Sequence, residues 1–332
     1  MILRLLKSSS PFIYILFLLI GILFWMGSLL QPLPYRFFEG ENNSVLYSPI
    51  FKITAKLPLL QVIISLIVVL FLAFLVQQIN SRYALIKART KLPIAVFIIF
   101  IGGFTTMHTL HPVFFGAIFL LFGINSLFSI FNNPKPQTDI FNAGLFIAIG
   151  TLFYFNLIVV LPAFLIAISV LRRERKWREF MILFIGFVIP SLFALSYAFV
   201  TDQLNEVFIT FQKNIVTPVN YLKSNYPLLG YLILLVLVTL IGSVKIMQQY
   251  DSMKVSTRKY YLVLFIIFIF SMISFVFIPA VSLEMLVISL LPVSFLVSNL
   301  FTTIESGFWR ELLFTLLIVS AIFMQIADRI FG

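Results

Sequence analysis

The chain has 332 residues, of which 61% are hydrophobic and 11% charged, with a mean hydropathy of +1.10. A water-soluble domain is about 45–50% apolar and about 25% charged, so this composition excludes a soluble fold and specifies a protein that crosses a membrane many times. No Cys is present, which excludes disulfides, thiolate metal sites and cysteine nucleophiles, and the two histidines, His108 and His111, are too few for a four-histidine iron centre.

A bilayer core about 30 Å thick takes roughly 20 apolar residues per helix. Eleven apolar segments meet or approach that length: 11–31, 58–79, 92–109, 113–131, 140–154, 157–171, 179–200, 227–246, 260–278, 280–300 and 311–328. They predict a single all-α integral membrane domain over 1–332 with about eleven spans, within a range of 9–12. The first segment has no small-residue cleavage site after it and reads as a retained helix. Segments 140–154 and 157–171 are short, with Asn156 and Pro162 at their junction, and fit either two short helices or one re-entrant hairpin. Pro279 marks the tight turn before 280.

The net charge of +11 reads as topology rather than as a nucleic-acid footprint. With the N-terminus in the cytoplasm, 17 Lys and Arg fall inside and 6 outside, as the positive-inside rule requires. The run RRERKWRE, Arg172 to Glu179, is then the strongest cytoplasmic anchor. This orientation and composition point to a multi-pass protein of the bacterial inner membrane, with the lipid bilayer as its first partner.

Two outer segments are long enough to act. The first, 32–57, holds Glu39 and Glu41 in RFFEGENNSVLYSPIF. The second holds a predicted amphipathic helix over 202–217, in which Leu204, Val207, Phe208, Phe211 and Ile215 recur at helical spacing. A helix of this kind lies on the membrane surface, and Pro218 ends it.

Polar groups inside a bilayer are costly and are therefore functional candidates. Glu284, in PAVSLEMLVISLLPVSF, is placed about one turn into its helix near the outer face. His108 and His111 sit in MHTLHPVFF at the outer turn between the third and fourth spans, where Pro112 interrupts the helix that would align them. Glu39, Glu41, His108, His111 and Glu284 are thus expected at one membrane face. Each also has an ordinary structural reading, as a solvated loop acid, a hydrogen-bonded interfacial histidine or a paired carboxylate. No phosphate-binding glycine loop, Gly-x-Ser-x-Gly elbow or His-Glu-x-x-His helix is present.

The order of elements resembles the GT-C superfamily of integral membrane glycosyltransferases. The similarity runs through an acidic first outer loop with a following Tyr47, KLPIAVFIIFIGGF before the histidine turn, DIFNAGLFIAIGTLFYFNLIVVLPAFLIAISVLRR, and SLEMLVISLLPVSFLVSNL. The chain is similar also to bacterial polytopic inner-membrane families with no assigned activity. The superfamily resemblance implies a GT-C-like helix arrangement and a polyprenyl-phosphate-linked sugar or lipid handled at the outer face. Glu39 or Glu41 would be the catalytic base on an acceptor hydroxyl. Arg36, Lys52 and Lys213 would meet the carrier phosphate, and Glu284 would border the substrate pocket. His108 and His111 would bind the phosphate or a divalent metal. The chain departs from the superfamily pattern, with Glu-Gly-Glu where a paired Asp-Glu is familiar. A second reading is a non-catalytic membrane scaffold that holds protein partners of an envelope complex. A transporter is a third, disfavoured by the lack of midplane charges.

Overall fold

The computed structural model describes residues 12–32, 40–88, 90–131, 133–172, 177–217, 226–304 and 306–331, with side chains as far as 327. Among the described residues the protein is all-α and polytopic, with no strand. Thirteen helices follow in chain order: α1 Ile13–Leu30, α2 Ser48–Thr54, α3 Pro58–Tyr83, α4 Leu92–Gly102, α5 Pro112–Ser129, α6 Gln137–Phe153, α7 Leu161–Leu171, α8 Trp177–Val200, α9 Leu204–Val216, α10 Tyr226–Gln249, α11 Val255–Phe277, α12 Met285–Thr303 and α13 Gly307–Phe331. Short 3-10 turns occupy Thr105–His108, Phe155–Val160 and Tyr250–Ser252.

Every one of the eleven apolar segments is helical, but the expectation of eleven full spans is corrected. Eight helices are long and apolar enough to cross a membrane, namely α1, α3, α5, α8, α10, α11, α12 and α13. The other three segments are shorter: α4, α6, and the unit formed by the Phe155–Val160 turn with α7. Segment 140–171 is therefore two helices joined by a 3-10 turn, with Pro162 in the first turn of α7 where its missing N–H costs nothing.

The short helices are stable because protein covers them. All eleven residues of α4 are buried, and α12 packs against α3, α4, α5, α10 and α11 at the centre of the bundle. By contrast α8 exposes most of one long apolar surface. It meets α6 through glycines: a Cβ added at Gly144 would overlap the carbonyl oxygen of Leu183, and one at Gly186 that of Phe141. Backbone contact through small residues is the usual device of helix association in lipid, where apolar burial alone gives no net drive.

The bundle has two chemically distinct ends. At one, the Arg82 side chain donates to Asn125, that of Arg172 to the Asn133 carbonyl and to Glu179, and the Lys259 ammonium to the Leu171 carbonyl. These basic residues meet at the end that the positive-inside rule assigns to the cytoplasm. The opposite, far end holds the non-helical segments 40–47, 103–111, 154–160 and 278–284.

Candidate functional site

The chain between α4 and α5 turns inside the bundle, below the far surface. The hydroxyl of Ser65 donates to the His108 carbonyl, and Ser65 lies seven residues into α3. At 1.5 Å rise per residue this sets the turn roughly 10 Å below the start of that helix. Backbone at such depth must have its polar groups satisfied by protein. The Tyr231 hydroxyl donates to the carbonyls of Ile99 and Phe100, and the Gln325 amide donates to those of Gly102 and Phe24. The Tyr47 hydroxyl donates to the Leu110 carbonyl at 2.7 Å. These side chains replace the bonds lost where α4 stops after eleven residues.

The two histidines enter different surroundings. His108 stacks on Trp25 with ring centroids 4.2 Å apart. Its Nε2 lies 3.3 Å from the Gly102 carbonyl, which can only accept, so Nε2 carries the proton and Nδ1 accepts from the Ser28 hydroxyl at 2.9 Å. Burial drives its pKa down to about 4, against the opposing pull of the Gly102 carbonyl. His108 is a neutral, hydrogen-bonded structural residue.

His111 faces acids. Its Nδ1 is 3.1 Å from Oε1 of Glu41, and its Nε2 is 3.1 Å from the Thr106 carbonyl. Glu41 is 2% exposed and His111 fully buried. Burial acts to lower the His111 pKa, but the hydrogen bond and charge of Glu41, with the charge of Glu284, outweigh it and raise the value above 6.5. Glu284 stands immediately before α12, at its N-cap position but with no capping bond from its side chain, and is 1% exposed, which corrects the expectation that it lies a turn inside its helix. Its carboxylate accepts from the backbone N–H and hydroxyl of Ser282, and the Tyr154 hydroxyl approaches to 3.5 Å. Burial and then the charge of Glu41 push its pKa up to about 7.

Of the residues expected to converge, the fold brings together Glu41, His111 and Glu284. His108 belongs to a separate network, with Trp25, Ser28 and Gly102 as its partners. Lys52 is exposed on α2, and Lys213 is half-buried on α9 beside Asn214. Glu39 and Arg36 lie outside the described residues. Among the described residues no group of three or more His, Cys, Asp or Glu side chains is arranged to hold a metal ion. Tyr154, Asn156 and Ser282 join the site unforeseen, since each is an ordinary polar residue in an apolar run.

The predicted surface helix forms as α9, two residues shorter at its start and one at its end than expected. Its Asn214 amide donates to the Gly40 carbonyl at 3.0 Å, tying it to the loop that carries Glu41. Between α9, α6, α8 and residues 43–45 lies a cavity of about 300 Å³. Leu152, Phe155, Phe187, Leu195, Phe208 and Phe211 give it apolar walls, and its polar lining comes from Asn43, Ser44 and Asn214 together with Thr151, Ser191 and Thr210. Leu195, Phe208 and Phe211 are themselves partly exposed, so the cavity communicates with the apolar exterior.

An all-α, multi-pass membrane protein with a recessed, buried acid–histidine cluster at one end is the class these features define. The chain belongs to the family of unknown function DUF6427, whose model matches residues 1–331. No curated protein and no solved structure matches it.

Proposed function

We propose that this protein holds, at the outer face of the bacterial inner membrane, a lipid whose long chain enters the cavity beneath α9, a polyprenyl-phosphate-linked lipid being the class implied by the GT-C resemblance. The observation that carries this reading is the cavity itself. Its volume is at the lower end of ligand sites, its walls are mostly apolar, and three of its polar side chains, Asn43, Ser44 and Asn214, lie at or beside the Gly40–Val45 segment. A single chain entering from the bilayer would exchange lipid contacts for Phe and Leu side chains and leave its head group near Asn43, Ser44 and Asn214.

Holding is favoured over glycosyl transfer by the state of Glu41. A general base must reach its substrate within about 2.6–3.2 Å. Here the Glu41 carboxylate is buried against His111, and it is not among the residues that line the cavity.

The test is lipid extraction and native mass spectrometry of the protein purified in mild detergent, with Ala194→Trp as a cavity-filling variant. A polyprenyl-phosphate species bound to the wild type and lost from the variant is the expected result. Equal lipid content in both, or a stoichiometric protein partner with no bound lipid, would replace this reading with the scaffold.

A further inference from the structure

We propose that Glu41, His111 and Glu284 form a proton-binding site that exchanges one proton with the outer aqueous phase, independently of any lipid the protein holds. The argument begins with donors and acceptors. Both ring nitrogens of His111 face oxygens, one a carboxylate and the other a backbone carbonyl that can only accept. Two protons are therefore needed on the three atoms Nδ1, Nε2 and Glu41 Oε1, and the Glu41–His111 pair is neutral as a unit.

Glu284 is left over. Among the described residues neither Glu41 nor Glu284 pairs with a Lys or Arg. Among the described residues the groups that face Glu284 are the Ser282 hydroxyl and amide from its own turn, the Tyr154 hydroxyl from the end of α6, and the Glu41–His111 pair from 40–47 and 103–111. Among the described residues nothing offsets an ionised Glu284, which would leave one uncompensated negative charge in this buried cluster, an expensive state away from water. One added proton, bound as the carboxylic acid, removes it.

A second feature marks the place as built for exchange. The Asn156 side chain is 1% exposed and engages the Tyr154 hydroxyl, and its remaining hydrogen-bonding capacity meets no other partner among the described residues. Buried amides are almost always fully paired, and one with capacity to spare next to this cluster is a ready anchor for the water that carries a proton in or out. The step is a simple transfer: a hydronium or water proton goes to a Glu284 oxygen, and the carboxylate becomes a neutral acid that can donate to a neighbour.

Infrared difference spectroscopy of the wild-type protein in nanodiscs, between about pH 5 and about pH 9, reads the proton directly. A protonated-carboxyl C=O band that disappears as pH rises, and is absent from Glu284→Gln, is the expected result. No such band in the wild type overturns the proposal, as does an unchanged band in Glu284→Gln. Should that variant fail to fold, Glu284→Asp keeps the acid, and the proposal then requires its band to titrate at a displaced midpoint. An unmoved midpoint would count against Glu284 as the proton's site.

Discussion

Glu41 and His111 are 70 positions apart in sequence and 3.1 Å apart in space, with both side chains out of contact with solvent. Removing one member of such a pair strands the other. Glu41→Ala or His111→Ala is expected to cost about 3–5 kcal/mol, because an uncompensated buried charge remains. The Glu41→Ala/His111→Ala double variant should cost less than the two single losses added together. Denaturation midpoints of the four proteins in one detergent complete the cycle, and additivity would mean the contact carries no coupling.

The same cluster sets a sign for pH dependence. Glu284 binds its proton more tightly in the folded protein, at about 7, than an ordinary carboxyl at about 4.3. His111 is also raised above its ordinary value, by Glu41 and Glu284 against the opposing effect of burial. Both groups therefore stabilise the fold at low pH and their contribution is lost as pH rises from about 4.5 through neutrality, whereas His108, lowered to about 4 by burial, contributes with the opposite sign over the same window. Each unit of pKa difference is worth about 1.4 kcal/mol. Because His108 acts equally in both proteins, thermal unfolding across that window should show the wild type losing several degrees relative to Glu284→Gln as pH rises. Parallel curves would remove Glu284 as the source.

At the α6–α8 contact, Gly144→Leu and Gly186→Leu would each force two helix backbones apart, since the added Cβ meets a carbonyl oxygen that cannot move alone. A loss of about 1–3 kcal/mol or more is expected for each. Gly230, in α10, has open space around its Cβ position, and Gly230→Ala should be neutral or stabilise by up to about 1 kcal/mol. Chemical denaturation of the three variants separates packing from helix propensity.

Gln325 bonds two carbonyls of other helices, Phe24 and Gly102. Gln325→Leu leaves both without that donor deep in the bundle, at a cost of about 1–3 kcal/mol. Hydrogen exchange should then rise in residues 102–108, where α4 gives way to the turn. Exchange unchanged there would mean that other donors are sufficient.

Much of the architecture was legible in the residues. Each of the eleven apolar segments is a helix, and the short pair 140–171 is two helices with Pro162 at the second start. A helix, α9, stands where Leu204, Val207, Phe208 and Phe211 recur at helical spacing. What the apolar pattern could not separate was a spanning helix from a shorter, buried one. LPIAVFIIFIG is as apolar as any span, yet it ends after eleven residues because side chains distant in sequence, Tyr231 and Gln325, satisfy its last carbonyls.

The candidate site divides along the same line. That Glu41, His111 and Glu284 lie at one end of the bundle followed from span order and from the sorting of Lys and Arg, because hydrophobic length and charge are local properties read directly from the chain. That His108 turns instead to Trp25 and Ser28, that Glu284 stands immediately before a helix, and that Tyr154 and Asn156 complete the cluster depended on packing. Hydrogen bonds of about 3 Å are decided by which helices touch and at what depth, and no local pattern of apolar residues encodes that.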